Sequence, residues 1–279
     1  VTASPVLRYP GAKWRLAPWI ISHFPRHATY VEPFFGSGAV FFSKRAVRNE
    51  YVNDLNGDLV NFFRMLRERP TELAALVELT PWAREEYELA FEPAADPLER
   101  ARRLAVRQWQ SVGGRDNGRY AAGWKHNGSK GHGTGSNGVT DVWRALPARL
   151  LAVADRLKDV QIECRPALEV ILKLSAPDVL LYVDPPYLGS TRDWQVHYRA
   201  EMLGTEDHLP LLEALDEHPG LVVLSGYPSE LYDERLAHWT RVSRQAQTEA
   251  GQTRTEVLWI NPRAGALLAQ RDLFSGGAS

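Results

Sequence analysis

The four residues Asp184-Pro185-Pro186-Tyr187 bring together a carboxylate, two positions with no backbone N–H and a flat phenol ring. Asp184 can accept a hydrogen bond from an amino group, and the carbonyl of Pro185 can accept a second. Tyr187 offers a face on which a planar ring can stack. An exocyclic amine on a heteroaromatic base is a poor nucleophile, because its lone pair is delocalised into the ring. Accepting both N–H bonds holds that nitrogen in line with an electrophilic methyl. The help is positioning and preorganised electrostatics, with no covalent intermediate. Ahead of the loop, Val179-Leu180-Leu181-Tyr182-Val183 reads as a strand buried on both faces. The prolines end it abruptly, and in open α/β sheets ligands bind at that end of the strands.

A second constellation lies near the start of the chain. Thr29-Tyr30-Val31-Glu32-Pro33 reads as a short strand, followed by Phe34-Phe35-Gly36-Ser37-Gly38 and a helix to about Arg45. Gly36 and Gly38 let the backbone approach a ligand closely, and a helix start offers free N–H groups. This is half of a dinucleotide fingerprint, because the third glycine is missing. A plain turn fits it as well as a cofactor loop does. The next strand, Glu50–Asp54, ends on a carboxylate at the place where ribose hydroxyls are commonly held. Asp54 can equally cap the helix beginning near Asn56. Further upstream, Tyr9-Pro10-Gly11-Ala12-Lys13 puts a turn before a helix over Arg15–His23. A lysine at a helix start opposes the dipole, so Lys13 is read as facing a ligand, against a solvated lysine as the alternative.

The elements that must hold these residues alternate. Strands are expected at Val160–Cys164, Leu221–Ser225, His238–Ser243 and Glu256–Asn261, with helices over Ala167–Leu174, Thr205–Glu217 and from Ser229. That alternation implies an α/β fold, a Rossmann-like doubly wound mixed sheet. Residues 59–96 are helical by pattern, Pro97–Gln110 forms a further helix, and Asp141–Leu157 reads as one amphipathic helix. Residues 1–58 and 159–279 are thus expected to form the catalytic domain, with 59–158 a mainly helical insert. Within it, Ser111–Asn137 carries eight glycines among Arg115, Arg119, Tyr120, Trp124, Lys125 and His126. Glycine lets a chain lie against phosphates, Arg and Lys pair with them, and Tyr or Trp can stack on a base. A flexible solvated insert is the plainer alternative.

Length (279 residues), 44% hydrophobic and 24% charged content describe an ordinary globular protein. The formal charge of -1 argues against a uniformly basic nucleic-acid binder. Between Glu99 and Gly138, however, eight Arg and Lys stand against two acidic residues, a local excess that hints at a polyanionic partner. A single cysteine, Cys164, rules out an intrachain disulfide and a multi-cysteine metal site. The start Val1-Thr2-Ala3-Ser4-Pro5 has no basic-then-apolar signal, and no 18-residue apolar run occurs, so a cytoplasmic protein without membrane contact is expected. No obligate protein partner and no metal site is evident.

Together, Tyr9-Pro10-Gly11-Ala12-Lys13, Glu32-Pro33-Phe34-Phe35-Gly36-Ser37-Gly38 and Asp184-Pro185-Pro186-Tyr187 resemble the motifs of Dam-type DNA adenine-N6 methyltransferases. Thr205-Glu206-Asp207-His208, Ser225-Gly226-Tyr227 and Thr255-Glu256-Val257-Leu258 look like its later motifs, and the order matches from about Leu7 to Pro262. The resemblance implies S-adenosyl-L-methionine as methyl donor, held by Tyr9, Lys13, Asp54, Asp184 and the loop from Glu32 and Pro33 through Phe34, Gly36, Ser37 and Gly38. It implies double-stranded DNA as partner, with the target adenine extruded into the pocket and catalysis by Asp184, Pro185, Pro186 and Tyr187. DNA contact falls to Arg115, Arg119, Tyr120, Trp124 and Lys125. Two departures stand out. Tyr9 replaces the tryptophan of some relatives, and segment 111–137 is more similar to inserts of phage- or mobile-element-borne members, so the recognition sequence does not carry over.

Rival readings remain. Cytosine-N4 methyl transfer shares the loop but more often begins it with serine. Cytosine-C5 chemistry needs a Pro-Cys nucleophile, and Cys164 follows Glu163. A protein or ribosomal-RNA methyltransferase would more often have asparagine at position 184. An NAD dehydrogenase would leave Asp184–Tyr187 unexplained. From a different class comes a catalytically silent DNA-binding protein on the same scaffold, which the intact Asp184 and glycine loop oppose.

Overall fold

A run of five apolar residues becomes a strand buried along its whole length only if both sheet faces are covered, and Val179–Val183 is buried throughout. In the computed structural model, which describes residues 5–9, 11–112, 123–125, 138–188, 202, 204–247 and 253–275, this strand is central. The strands are β1 (Thr29–Glu32), β2 (Asn49–Asn53), β3 (Val160–Glu163), β4 (Val179–Val183), β5 (Leu221–Gly226), β6 (Thr240–Gln247) and β7 (Thr253–Ile260). They form one sheet in the order β3-β2-β1-β4-β5-β7-β6. Pairing is parallel from β3 to β5, whereas β7 runs antiparallel to both β5 and β6. The strand order reverses between β1 and β4, and a crevice for a ligand opens at such a switch point. In that register Val31 stands beside Leu181, so the strand ends carry Glu32 and Asp184 to the same place.

Alternate residues of the strands feed two cores. Tyr30, Leu180, Tyr182, Val223 and Leu258 belong to one, and Val31, Leu181, Val183, Val222 and Trp259 to the other. The second core is closed by α9 (Ala167–Lys173), α10 (Thr205–Asp216) and α11 (Glu230–Arg235). The first is closed by α1 (Ala17–Ser22), α2 (Ala39–Ser43) and α12 (Pro262–Ser275), and it continues without a break into the helices between β2 and β3. Those are α3 (Gly57–Glu68), α4 (Pro70–Leu79), α5 (Arg84–Leu89), α6 (Pro97–Gln110), α7 (Val139–Arg144) and α8 (Leu146–Ala154).

Two expectations need correction. The stretch Asp141–Leu157 is α7, α8 and a 3-10 turn over Asp155–Leu157, not one helix. Pro147 explains the break, since it lacks the N–H that a continuous helix would use there and is favoured in a first turn. Helix α12 is not among the elements expected from the sequence. Asn261 Oδ1 accepts from the Ala264 amide (3.0 Å) at its start, and Pro262 follows, a start signal readable in the sequence.

The structure also shows where the local charge sits. Arg100 and Arg107 of α6 pair with Asp58 at 2.9 and 3.2 Å, and Arg102 with Glu86 and Glu99 at 2.7 Å. Arg103 shares Glu99 at 2.7 Å. Arg102 and Arg107 are buried, and the hydrogen bonds from Arg102, with burial opposing them, hold Glu99 down to about 2. Four of the eight local cations are therefore ion-paired within the fold, with Asp58 and Glu86 from earlier in the chain and with Glu99 on α6 itself.

Candidate active site

Two glycines set the floor of the site. Gly36 has φ +51° and Gly38 φ +68°, both in the left-handed region. Their uses differ. A Cβ on Gly36 would sit 3.3 Å from the Tyr9 ring, at the cavity surface. A Cβ on Gly38 would meet Phe35 and Phe42 at 2.7–2.9 Å, so Gly38 serves packing beneath the loop. The loop is tied to the next strand by the Phe35 amide on the Asn53 carbonyl (2.8 Å) and the Gly36 amide on Asp54 Oδ2 (2.9 Å). Asp54 Oδ1 accepts from the Asn56 amide (2.9 Å), while Asn56 itself caps α3. Asp54 thus braces two turns, and burial raises its pKa against those two N–H bonds.

Asn53, to which the sequence motifs assign no role, fastens three strand ends. Its Nδ2 donates to the carbonyls of Pro33 (2.9 Å) and Arg165 (3.0 Å), and its Oδ1 accepts from the Arg165 amide (2.9 Å). The available signal is a carboxamide one residue before the strand-end acid.

Between these ends lies a cavity of about 280 Å³. It is lined by Tyr9, Lys13, Glu32, Pro33, Phe34, Gly36, Ser37 and Asp54 together with Asp184, Pro185, Pro186 and Tyr187, so one space joins the glycine loop to the proline loop. Gly38 is not in the lining. Residues that the sequence motifs do not assign to the site also line it: Leu55, Arg165, Pro166 and Leu168 on one side, Met202, Asp207 and Leu211 on the other. His208 holds Met202 in place, Nε2 donating to its carbonyl (3.0 Å) while Nδ1 accepts from Tyr232 (2.6 Å).

Buried charge collects at the strand ends. Lys13 is 4% exposed; its Nζ lies 3.1 Å from Asp184 Oδ1 and 3.9 Å from Glu256, and bonds the Tyr187 hydroxyl. Ser225 Oγ donates to Asp184 Oδ1 at 2.8 Å. The Tyr187 ring packs on Tyr227, centroids 4.2 Å apart, so part of its surface is already in use. Glu32 accepts from Tyr30 (2.7 Å); burial first, then the nearby Asp184 charge, push it up to about 8. Glu256 is raised too, by burial, with Lys13 opposing.

Of the residues expected to touch nucleic acid, Arg115, Arg119 and Tyr120 lie outside the described residues. Trp124 forms a bridge with Ser111, donates to Gln110 Oε1 (3.2 Å) and carries the Arg84 guanidinium over its ring at 5.1 Å. The Lys125 amide bonds the Gln110 carbonyl (2.8 Å), and the Trp82 indole donates to the Lys125 carbonyl (2.8 Å). Both residues are anchored by side chains and backbone of segment 82–110, and neither lines the cavity.

The family model for D12 class N6 adenine-specific DNA methyltransferases matches residues 9–247. The chain belongs to this family. Among similar proteins is the Type II methyltransferase M1.LlaDCHI of Lactococcus lactis subsp. cremoris, 26% identical over 252 residues and covering 84% of each chain. Shorter matches join it to the DNA N-6-adenine-methyltransferase of Escherichia phage P1 (31% over 71 residues, 25% of this chain and 9% of the phage protein). A DNA adenine methylase of Vibrio cholerae is 38% identical over 64 residues, 23% of each chain. As a member of the D12 class, the protein is an adenine-specific DNA methyltransferase, and enzymes of this kind draw their methyl group from S-adenosylmethionine. Among the described residues, no helix is long and apolar enough to cross a membrane.

Proposed function

We propose that this cavity binds S-adenosylmethionine beside an adenine extruded from double-stranded DNA, and that Asp184 receives the adenine amino group at a specific site sequence. The observation that carries the reading is the shared cavity, in which the glycine loop and Asp184–Tyr187 face one space. The residues fit the cofactor. Gly36 keeps the floor open where a Cβ would press on Tyr9. Glu32 is a buried acid and Asp54 a half-buried one, both suited to hydroxyl and ammonium groups. When bound, the cofactor supplies an electrophilic methyl on a sulfonium.

The protein's own part is positional. Asp184 Oδ1 is engaged by Ser225 and Lys13, and no hydrogen bond is made to Oδ2 among the described residues. Oδ2 is therefore the acceptor for one amine N–H, and the Pro185 carbonyl takes the other. As the methyl arrives, positive charge develops on the nitrogen beside the carboxylate, which favours the transition state over the ground state. Tyr187, backed by Tyr227, forms a wall for the base. Residues 59–158 serve as the target-recognition region, with Arg115, Arg119, Tyr120, Trp124 and Lys125 as DNA contacts.

Titration calorimetry with S-adenosylmethionine, combined with transfer of a labelled methyl to unmethylated DNA, tests the site. Asp184→Ala should keep much of the cofactor affinity and lose transfer. Retained transfer would remove Asp184 from its catalytic role.

A further inference from the structure

Asp184 sits at the end of a chain of hydroxyls that the reaction as described does not use. Ser225, on β5, is 1% exposed, and its Oγ lies 2.8 Å from Asp184 Oδ1 and 3.0 Å from the Tyr182 hydroxyl. Tyr182, on β4, is also 1% exposed. Burial raises its pKa well above the ordinary phenol value, so its hydroxyl keeps its proton. Ser225 donates its single hydroxyl proton to Asp184 Oδ1. Its oxygen is then an acceptor for Tyr182, and the order Tyr182 O–H to Ser225 O–H to Asp184 Oδ1 is fixed. Hydrogen bonds in such a series polarise one another, most of all where solvent is excluded.

The sheet provides this alignment. Tyr182 is paired with Val223 and Val183 with Leu224, so Ser225 stands one step beyond, level with Asp184. Side chains at positions 182 and 184 point to the same face, as alternate residues of an extended chain do. Lys13 also reaches Oδ1, at 3.1 Å. A carboxylate held by one oxygen has its plane set and the second oxygen aimed.

We infer that Ser225, backed by Tyr182, is a positioning residue that fixes the carboxylate plane of Asp184 and so selects Oδ2 as the oxygen that meets the target amine. The inference rests on the catalytic reading of Asp184. Without the Ser225 hydroxyl, Asp184 turns about its last side-chain bond, the acceptor moves off line, and methyl transfer slows while ligands still bind. Tyr182 also lines the cavity, but its hydroxyl reaches Asp184 by way of Ser225, which gives the pair a signature that bulk packing does not have.

Single-turnover methyl transfer to adenine in DNA should be measured for the intact protein and for Ser225→Ala, Tyr182→Phe, the double variant and Asp184→Ala, with Kd for S-adenosylmethionine and for DNA taken in parallel. Ser225→Ala should lower the rate about 10- to 100-fold, the scale of a small misplacement of a reacting group, with both Kd values within about twofold. Tyr182→Phe should have a smaller effect, and the double variant should be no slower than Ser225→Ala alone, the non-additivity expected of residues acting in series. If Asp184→Ala is inactive but Ser225→Ala transfers at the normal rate, the relay is overturned. The same holds if the effects of the two changes multiply independently. If Asp184→Ala itself transfers normally, the catalytic reading beneath the inference is what fails.

Discussion

At the scale of single residues, the site is defined by buried groups whose ionisation depends on one another. Glu32 is the clearest case, with its pKa raised from 4.5 to about 8 chiefly by burial. A carboxyl that holds its proton more tightly folded than unfolded stabilises the fold fully below the unfolded value. That advantage disappears as pH rises through the folded one. Asp54 and Glu256 are shifted in the same direction. Thermal midpoints of the ligand-free protein should therefore fall between about pH 5 and pH 8, and Glu32→Gln, which stays neutral, should flatten part of that slope. An identical slope in the variant would show that Glu32 titrates normally. Gly38 is tested by packing. At φ +68°, with a Cβ meeting Phe35 and Phe42 inside 3.0 Å, Gly38→Ala should cost about 1–3 kcal/mol in denaturant unfolding.

At the scale of elements, what is legible in the sequence and what is not divide along physical lines. The apolar run Val179–Val183 announces a strand covered on both faces, and β4 is buried throughout. The glycines at 36 and 38 announce a tight turn between β1 and α2, and both have positive φ. Those signals are local, carried by residues adjacent in the chain. The parts that escape are contacts between distant segments. Asn53 ties β1 and β3 through Pro33 and Arg165, and Ser225 reaches Asp184 across 41 positions. Neither residue type says in advance where it will point.

Helix α6 shows the same limit for charge. Its arginines promise a polyanion surface, and their partners Asp58 and Glu86 lie on α3 and α5. Arg107→Ala would take a buried guanidinium away from Asp58. It should destabilise the protein by about 3 kcal/mol in urea unfolding, as breaking a buried pair does, without altering the salt dependence of DNA binding. A changed salt slope with unchanged stability would return Arg107 to the DNA surface.

At the scale of the whole molecule, the sheet and helices α3–α8 share one core. Strand ends carry the glycine loop, Asp54 and Asp184 to a single cavity at the switch point between β1 and β4. Helices α3–α8 join the core on that face and hold Trp124 and Lys125 through Gln110 and Trp82. With the α6 arginines neutralised, affinity for DNA should depend on the remaining basic residues of segment 111–137. Replacing Arg115, Arg119 and Lys125 together by Ala should weaken binding. It should also reduce the slope of log K against log salt by about one for each phosphate that no longer meets a cation. An unchanged slope would assign DNA binding to another part of the surface.

The most direct measurement is the chemical identity of the product. Unmethylated DNA incubated with the protein and S-adenosylmethionine, digested to nucleosides and resolved by mass spectrometry, should contain N6-methyladenine, and none should form with Asp184→Ala. Methyl groups found on cytosine, or N6-methyladenine formed as readily by the Asp184→Ala protein, would contradict an adenine amine received by Asp184 at the end of β4.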